Sequence, residues 1–154
     1  YNLSELTESK IILETGVASG YSSLYFLKSL KKRNGILYST NLPYPDSNKK
    51  KFIGQVVSKE LFKYWKYYNG ADKDILPIIL NNINKIDIFH YDSDKTYEGK
   101  MWTMKKVWPK IKVDGFLLCD DVQDNYAFFD FAKIINKKKF LIEYNNKYLG
   151  IIKK

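Results

Sequence analysis

The chain has 154 residues, a length that suits one domain around one core, and its 45% hydrophobic and 16% aromatic content excludes a disordered segment. No apolar run reaches the length of a membrane span, and the lone cysteine, Cys119, excludes a disulfide framework and suits a reducing, cytoplasmic compartment. The net charge of +9 gathers at Lys31-Lys32-Arg33, Lys49-Lys50-Lys51 and Lys137-Lys138-Lys139, and reads more simply as solvated lysines at helix ends and loops than as a surface for nucleic acid.

In chain order, only ten residues precede the first predicted strand, as in a domain that lacks N-terminal helices. That strand is the apolar run Ile11–Glu14. The turn Thr15-Gly16-Val17-Ala18-Ser19-Gly20 follows, and Tyr21 opens a helix marked by Leu24, Leu27 and Leu30. A second strand is expected over Ile36–Thr40. Residues 42–51, with Pro43, Pro45, Asp46 and Ser47, form the most irregular segment. Further strands are expected over Tyr64–Tyr68 and Ile86–Tyr91. Thr96 caps a helix begun by Tyr97 and Glu98, with Met101, Met104, Trp108 and Ile111 as its apolar stripe. The strand Phe116–Asp120 and a helix marked by Phe128, Ala132 and Ile135 come next. The last two strands, Phe140–Tyr144 and Tyr148–Ile152, are separated only by Asn145-Asn146-Lys147, too short for a crossover, so they form an antiparallel hairpin. Alternation of strands and helices predicts a single α/β domain over 1–154 with a mostly parallel seven-stranded sheet.

In an open α/β sheet, ligands bind at the carboxyl ends of the strands. The first strand end supplies Glu14 and the loop Gly16–Gly20, and the second supplies Asn41. The third supplies Gly70-Ala71-Asp72, the fourth Asp92-Ser93-Asp94-Lys95, and the fifth Asp120-Asp121. Four of these five ends carry an acid, three of them directly after apolar runs. The pattern Glu-x-Gly-x-x-x-Gly of Glu14, Gly16 and Gly20 differs from a dinucleotide loop, whose first and third glycines stand five apart. His90, the only histidine, alternates with Phe89 and Tyr91 and reads as a hydrogen-bonded packing residue.

Three motifs occur in order: the loop, Ile-Asp-Ile-Phe-His-Tyr-Asp-Ser-Asp-Lys-Thr-Tyr-Glu over Ile86–Glu98, and Gly-Phe-Leu-Leu-Cys-Asp-Asp-Val-Gln-Asp-Asn-Tyr-Ala-Phe over Gly115–Phe128. From Ile11 to Ile152 the chain resembles class I S-adenosylmethionine (SAM) methyltransferases of methyltransferase family 24. That group is similar to macrocin-type sugar O-methyltransferases and, more distantly, to catechol and caffeoyl-CoA O-methyltransferases. The resemblance implies a Rossmann-like fold and SAM as cofactor. Gly16, Ala18, Ser19 and Gly20 would wrap its amino-acid portion, with Glu14 near the ammonium. Asn41 stands where the family has an acid for the ribose hydroxyls, and Asp72 and Asp92 complete the cofactor set. Asp92, Asp120 and Asp121 resemble the family's metal-binding acids, a donor set that suits Mg²⁺. Lys95, with Asp92 as the alternative, stands at the position of the catalytic base. The expected partner is a small hydroxylated or sugar-like acceptor, and a homo-oligomer is left open. The alternatives are a basic, non-catalytic binding module on this fold and a nucleic-acid methyltransferase. Asn41-Leu42-Pro43-Tyr44 resembles the Asn-Pro-Pro-Tyr motif of amino-directed enzymes, but it follows the second strand rather than the fourth.

Overall fold

A computed structural model describes residues 1–43 and 52–154. Most of the irregular segment 42–51 and the cluster Lys49-Lys50-Lys51 lie outside the described residues. The seven strands are β1 Ile11–Thr15, β2 Ile36–Asn41, β3 Trp65–Asn69, β4 Ile86–Tyr91, β5 Ile111–Cys119, β6 Lys139–Tyr144 and β7 Lys147–Lys153. They form one sheet in the order β3-β2-β1-β4-β5-β7-β6. All neighbours are parallel up to β5, and β7 runs antiparallel to both β5 and β6. This is the Rossmann-like class I methyltransferase order, with the closing hairpin expected from the short Asn145-Asn146 connection.

Side-chain alternation along the central strands builds two cores. Ile12, Leu37, Ile88 and Leu118 point to the face covered by helix α2 (Tyr21–Lys31), where Phe26, Leu27 and Leu30 pack. Leu13, Phe89, Leu117 and Cys119 point to the opposite face, covered by α3 (Asp72–Asn82), α4 (Tyr97–Val107) and α5 (Ala127–Ile134). A short first helix, α1 (Asn2–Leu6), was not expected. It is held to α2 by Glu5, which takes Lys32 at 2.5 Å and Arg33 at 2.9 Å, so part of the first basic cluster serves packing rather than a partner. No helix among the described residues is long and apolar enough to cross a membrane.

Two expectations need correction. Ile111 does not continue the α4 stripe. Pro109 ends that helix, residues 108–110 form a 3₁₀ turn, and Ile111 begins β5 opposite Ile86. The three-residue step from Trp108 to Ile111 mimics helical spacing by coincidence. β5 therefore starts five residues before Phe116 and carries an irregularity before Phe116 pairs with Ile88, with Asp114 at a left-handed φ of 64°. Ile135 likewise stands just beyond α5 rather than inside it.

Candidate active site

The loop after β1 is a tight backbone structure with few alternatives. Gly16 has φ +82°, and a Cβ there would lie 1.9 Å from the Asp92 carbonyl oxygen. Only glycine combines that conformation with that approach. Ala18 is also left-handed, at φ 46°, and the strain is met by Asn41, whose Oδ1 accepts from the amides of Val17 (2.9 Å) and Ala18 (3.1 Å). The Asn41 amide nitrogen donates to the Leu42 carbonyl at 2.7 Å. Asn41 thus anchors the loop from the end of β2, with both polar atoms engaged. Gly20, at φ 91°, caps α2.

Glu14 lies beneath the loop. It is fully buried. Its carboxylate accepts from Ser22 and Ser23, each at 2.5 Å, and from Ser39 at 3.0 Å. The spacing that singled out Glu14 cannot reveal these three hydroxyls, two of which come from the first turn of α2. Any effect of Glu14 on a cofactor passes through them and the loop. His90 is its neighbour on β4, with Nδ1 3.5 Å from Glu14 Oε1, an ion-pair distance without hydrogen-bond geometry. Burial disfavours the imidazolium, but the carboxylate outweighs it and the pKa is raised. His90 also packs edge-on against Phe26, so it is a packing residue, though not the hydrogen-bonded one expected.

Two cavities meet at this loop. One, of about 610 Å³, lies between the loop, α3 and α4, and is lined by Gly16, Asn41, Asp72 and Trp102 together with Ala18 and Asp92. The other, of about 500 Å³, lies between the loop, α2 and the β6–β7 hairpin, and is lined by Ser19, Tyr21, Asp120 and Tyr144, again with Ala18 and Asp92. Asp72 opens α3 and ties three strand ends together. It accepts from Thr40 at 2.6 Å and from Ser93, and Ser93 also contacts Thr15 at 3.0 Å. Asp94 accepts from the Thr96 amide at 2.8 Å, and Thr96 accepts from the Gly99 amide at 3.0 Å, the cap expected for α4.

The acids after β4 and β5 converge. Ligand oxygens of Asp92, Asp120 and Asp121 all lie within 4.8 Å of one another. Lys95 sits among them, with Nζ 2.5 Å from Asp92 and 2.9 Å from Asp121. Lys147 reaches the other Asp121 oxygen at 3.0 Å. Partial burial works against ionisation of Asp121, but the hydrogen bonds from Lys95 and Lys147 outweigh it and hold its carboxyl at about 2. Burial raises the Asp92 pKa against the pull of Lys95. For Lys95 burial favours the neutral amine, yet the two carboxylates win and raise its pKa.

Two further residues hold this cluster. Lys100 is fully buried on α4, its ammonium donating to the Asp121 carbonyl at 2.5 Å and the Asp120 carbonyl at 3.5 Å. Asn125 donates to the Lys95 carbonyl at 2.8 Å. Together they tie the β4–α4 loop to the turn after β5, where Asp121 has a left-handed φ of 49°. Lys100 could have been found in the sequence: it shares a helix face with Met104 and Val107, where a lysine is out of place.

An open sheet with a tight glycine loop after β1 and acids converging from the ends of β4 and β5 is the arrangement that the resemblance to class I methyltransferases implies. A family model described as a methyltransferase domain, that of methyltransferase family 24, matches residues 13–122. No curated protein sequence matches. Among solved structures, an O-methyltransferase from Bacillus cereus in complex with S-adenosylhomocysteine (SAH) superposes with a TM-score of 0.77 at 14% identity, covering 99% of this chain and 78% of that one. A SAH-bound methyltransferase from Podospora anserina gives a TM-score of 0.72 at 19% identity, covering 98% and 74%. An O-methyltransferase from Streptomyces achromogenes involved in tomaymycin synthesis, in complex with SAM, gives 0.73 at 17% identity, with the same coverage of 98% and 74%. These likenesses establish a shared fold. The chain belongs to this family of methyltransferase domains and is a SAM-dependent methyltransferase.

Proposed function

We propose that this protein transfers a methyl group from SAM to a hydroxyl oxygen of a small acceptor. The observation that carries the reading is the shared wall of the two cavities, Ala18 and Asp92, with the acidic cluster beside it. SAM fits the larger cavity, with Gly16 and Ala18 at its amino-acid portion. Asn41 stands at the ribose side and Asp72 and Trp102 toward the adenine. The acceptor enters the second cavity, between Tyr21 and Tyr144, and its oxygen reaches the methyl carbon past Asp92. In-line attack forms the O–C bond as the C–S bond breaks, and SAH leaves with both electrons of that bond. The protein's main contribution is alignment of oxygen, carbon and sulfur.

The acids fit a divalent cation. Asp92, Asp120 and Asp121 offer carboxylate oxygens close enough to share one ion, a donor set suited to Mg²⁺. Held there, the ion would lower the pKa of an acceptor hydroxyl. Lys95, the expected base, lies between Asp92 and Asp121, which raise its pKa, so it acts with its proton on as a donor that orients both carboxylates. Asp92, whose own pKa is raised by burial, is the proton acceptor within reach.

Calorimetry with SAH tests the cofactor part, and absence of binding at high micromolar concentration refutes it. Methyl transfer from labelled SAM to a panel of phenols and sugars, with and without Mg²⁺, tests the rest. Asp120→Ala and Asp121→Ala should abolish the Mg²⁺ response. Unchanged turnover in both variants refutes the metal role.

A further inference from the structure

We propose that Lys147 is a built-in counter-cation of the acidic cluster, one that a divalent ion must displace from Asp121 in order to bind. The inference rests on the metal-assisted reading above. Lys147 is the first residue of β7 and follows Asn145 and Asn146, both left-handed at φ 51° and 60°. Such a two-residue turn reverses the chain tightly and returns Lys147 opposite Tyr144. The start of β7 is docked on the turn after β5. The Tyr148 amide donates to Gln123 Oε1 at 3.0 Å, and Gln123 Nε2 donates to Asp121 Oδ1 at 3.2 Å. The Lys147 ammonium is therefore delivered to Asp121 by the fold of the hairpin.

Its effect follows from counting charges. Lys147 holds Asp121 Oδ1 at 3.0 Å while Lys95 holds Oδ2 at 2.9 Å, so both oxygens of this carboxylate already carry an ammonium. The buried Lys100 ammonium is balanced by Asp124 at 3.8 Å, and the remaining three carboxylates against two ammonium groups leave the cluster one charge negative. A divalent ion added with both lysines in place would make it positive and would need an Asp121 oxygen that an ammonium already holds, so one lysine gives way. Lys95 touches two carboxylates and its side chain is 41% exposed, whereas Lys147 touches one and is 62% exposed. Lys147 is the weaker partner, held by a single solvent-exposed ion pair. Once displaced it remains at the wall of the second cavity, which it already lines.

The test is a titration with Mn²⁺ at pH 7.5, with free Mn²⁺ followed by electron paramagnetic resonance, on the wild type, Lys147→Met and Lys147→Arg. Thermal melts and SAH calorimetry on all three confirm an intact fold and cofactor cavity. Lys147→Met should bind Mn²⁺ about tenfold more tightly, the effect of removing one elementary charge from beside a divalent ion in a solvent-rich site. Lys147→Arg, which keeps the charge, should stay near the wild type. Equal or weaker binding by Lys147→Met, with clear Mn²⁺ uptake by the wild type, overturns the role of Lys147 alone. Absence of uptake by all three proteins overturns the metal reading and the displacement together.

Discussion

Replacing Gly16 with alanine should separate the loop from the end of β4 and remove cofactor binding. The new methyl would lie 1.9 Å from the Asp92 carbonyl oxygen and 2.6 Å from its carbon, where anything under 3.0 Å is closer than real Cβ atoms come. Neither neighbour is a flexible side chain. Both are backbone, and Asp92 is pinned by its amide donating to the Thr15 carbonyl at 2.9 Å. The loop itself must therefore retreat. The left-handed backbone adds about 1–2 kcal/mol for any L-residue with a Cβ, and forced overpacking adds about 1–3 kcal/mol.

A loss of roughly 2–5 kcal/mol leaves most domains folded, since typical stabilities are about 5–15 kcal/mol. At this chain length it corresponds to a fall in Tm of roughly 4–20 °C. SAH affinity should fall by more than about thirtyfold, the cost of losing about 2 kcal/mol of backbone contact at a displaced loop. Differential scanning calorimetry and SAH titration measure the two effects. Gly150→Ala is the control: its methyl would meet the Phe128 ring at 2.5 Å, and neither residue lines either cavity, so it should lower Tm and leave SAH affinity alone. A Gly16→Ala protein that melts within about 2 °C of wild type and binds SAH normally would refute the reasoning, because a shift of that size is under about 1 kcal/mol.

Asn41→Asp keeps the acceptor for the Val17 and Ala18 amides, gives up the donor to Leu42, and places a carboxylate where ribose hydroxyls are expected. SAH should bind about three- to tenfold more tightly by calorimetry, because charge-assisted hydrogen bonds are the stronger kind. Lys100→Met leaves the Asp120 and Asp121 carbonyls without their ammonium, at about 1–3 kcal/mol, but also removes a buried charge. Its Tm should move little, SAH affinity should hold, and kcat should fall at least about tenfold as the acids lose their register, an outcome that steady-state kinetics separates from simple unfolding. Acid should destabilise the fold in a defined window. Asp121 and Glu5 both have carboxyls held at about 2 in the folded chain, against about 4 when unfolded, so their contribution is complete above about pH 5 and is lost as pH falls from there toward about 2. Urea midpoints measured from pH 6 to pH 2 should show that slope, and Asp121→Asn should flatten part of it.

The strands at Ile11, Ile86 and Phe116 were readable because each is a short, nearly continuous apolar run ending in a polar residue, and that pattern marks burial on both faces. The acids at their ends were readable for the same reason, since topology brings every such residue to one edge. The partners of those acids were not. Glu14 is enclosed by Ser22, Ser23 and Ser39, and serines carry no periodic signal. Lys147 looks like one more lysine in a chain with 26 basic residues, and Lys100, though out of place on an apolar helix face, shows no partner in the sequence; only the packing of α4 and the hairpin brings them to Asp121. Ile111 misled because a helix and a following strand can share one apolar spacing across a proline.

The Gly16–Asp92 contact also explains why the two cavities lie where they do. β1 and β4 are neighbours in the sheet, but their chains leave in opposite directions, β1 to α2 on one face and β4 to α4 on the other. Loops that diverge in this way leave a crevice between them, the switch point at which open α/β sheets bind ligands. Here the crevice is divided. Gly16 lets the first loop touch the Asp92 carbonyl, so that the two loops close on each other. The space on the α4 side becomes the larger cavity, and the space on the α2 side becomes the second, with Asp92 presented to both. A side chain at position 16 would hold the loops apart and merge the cavities. The glycine therefore does more than permit a turn: it lets the two loops close on each other between the cavities, the partition that the proposed reaction needs.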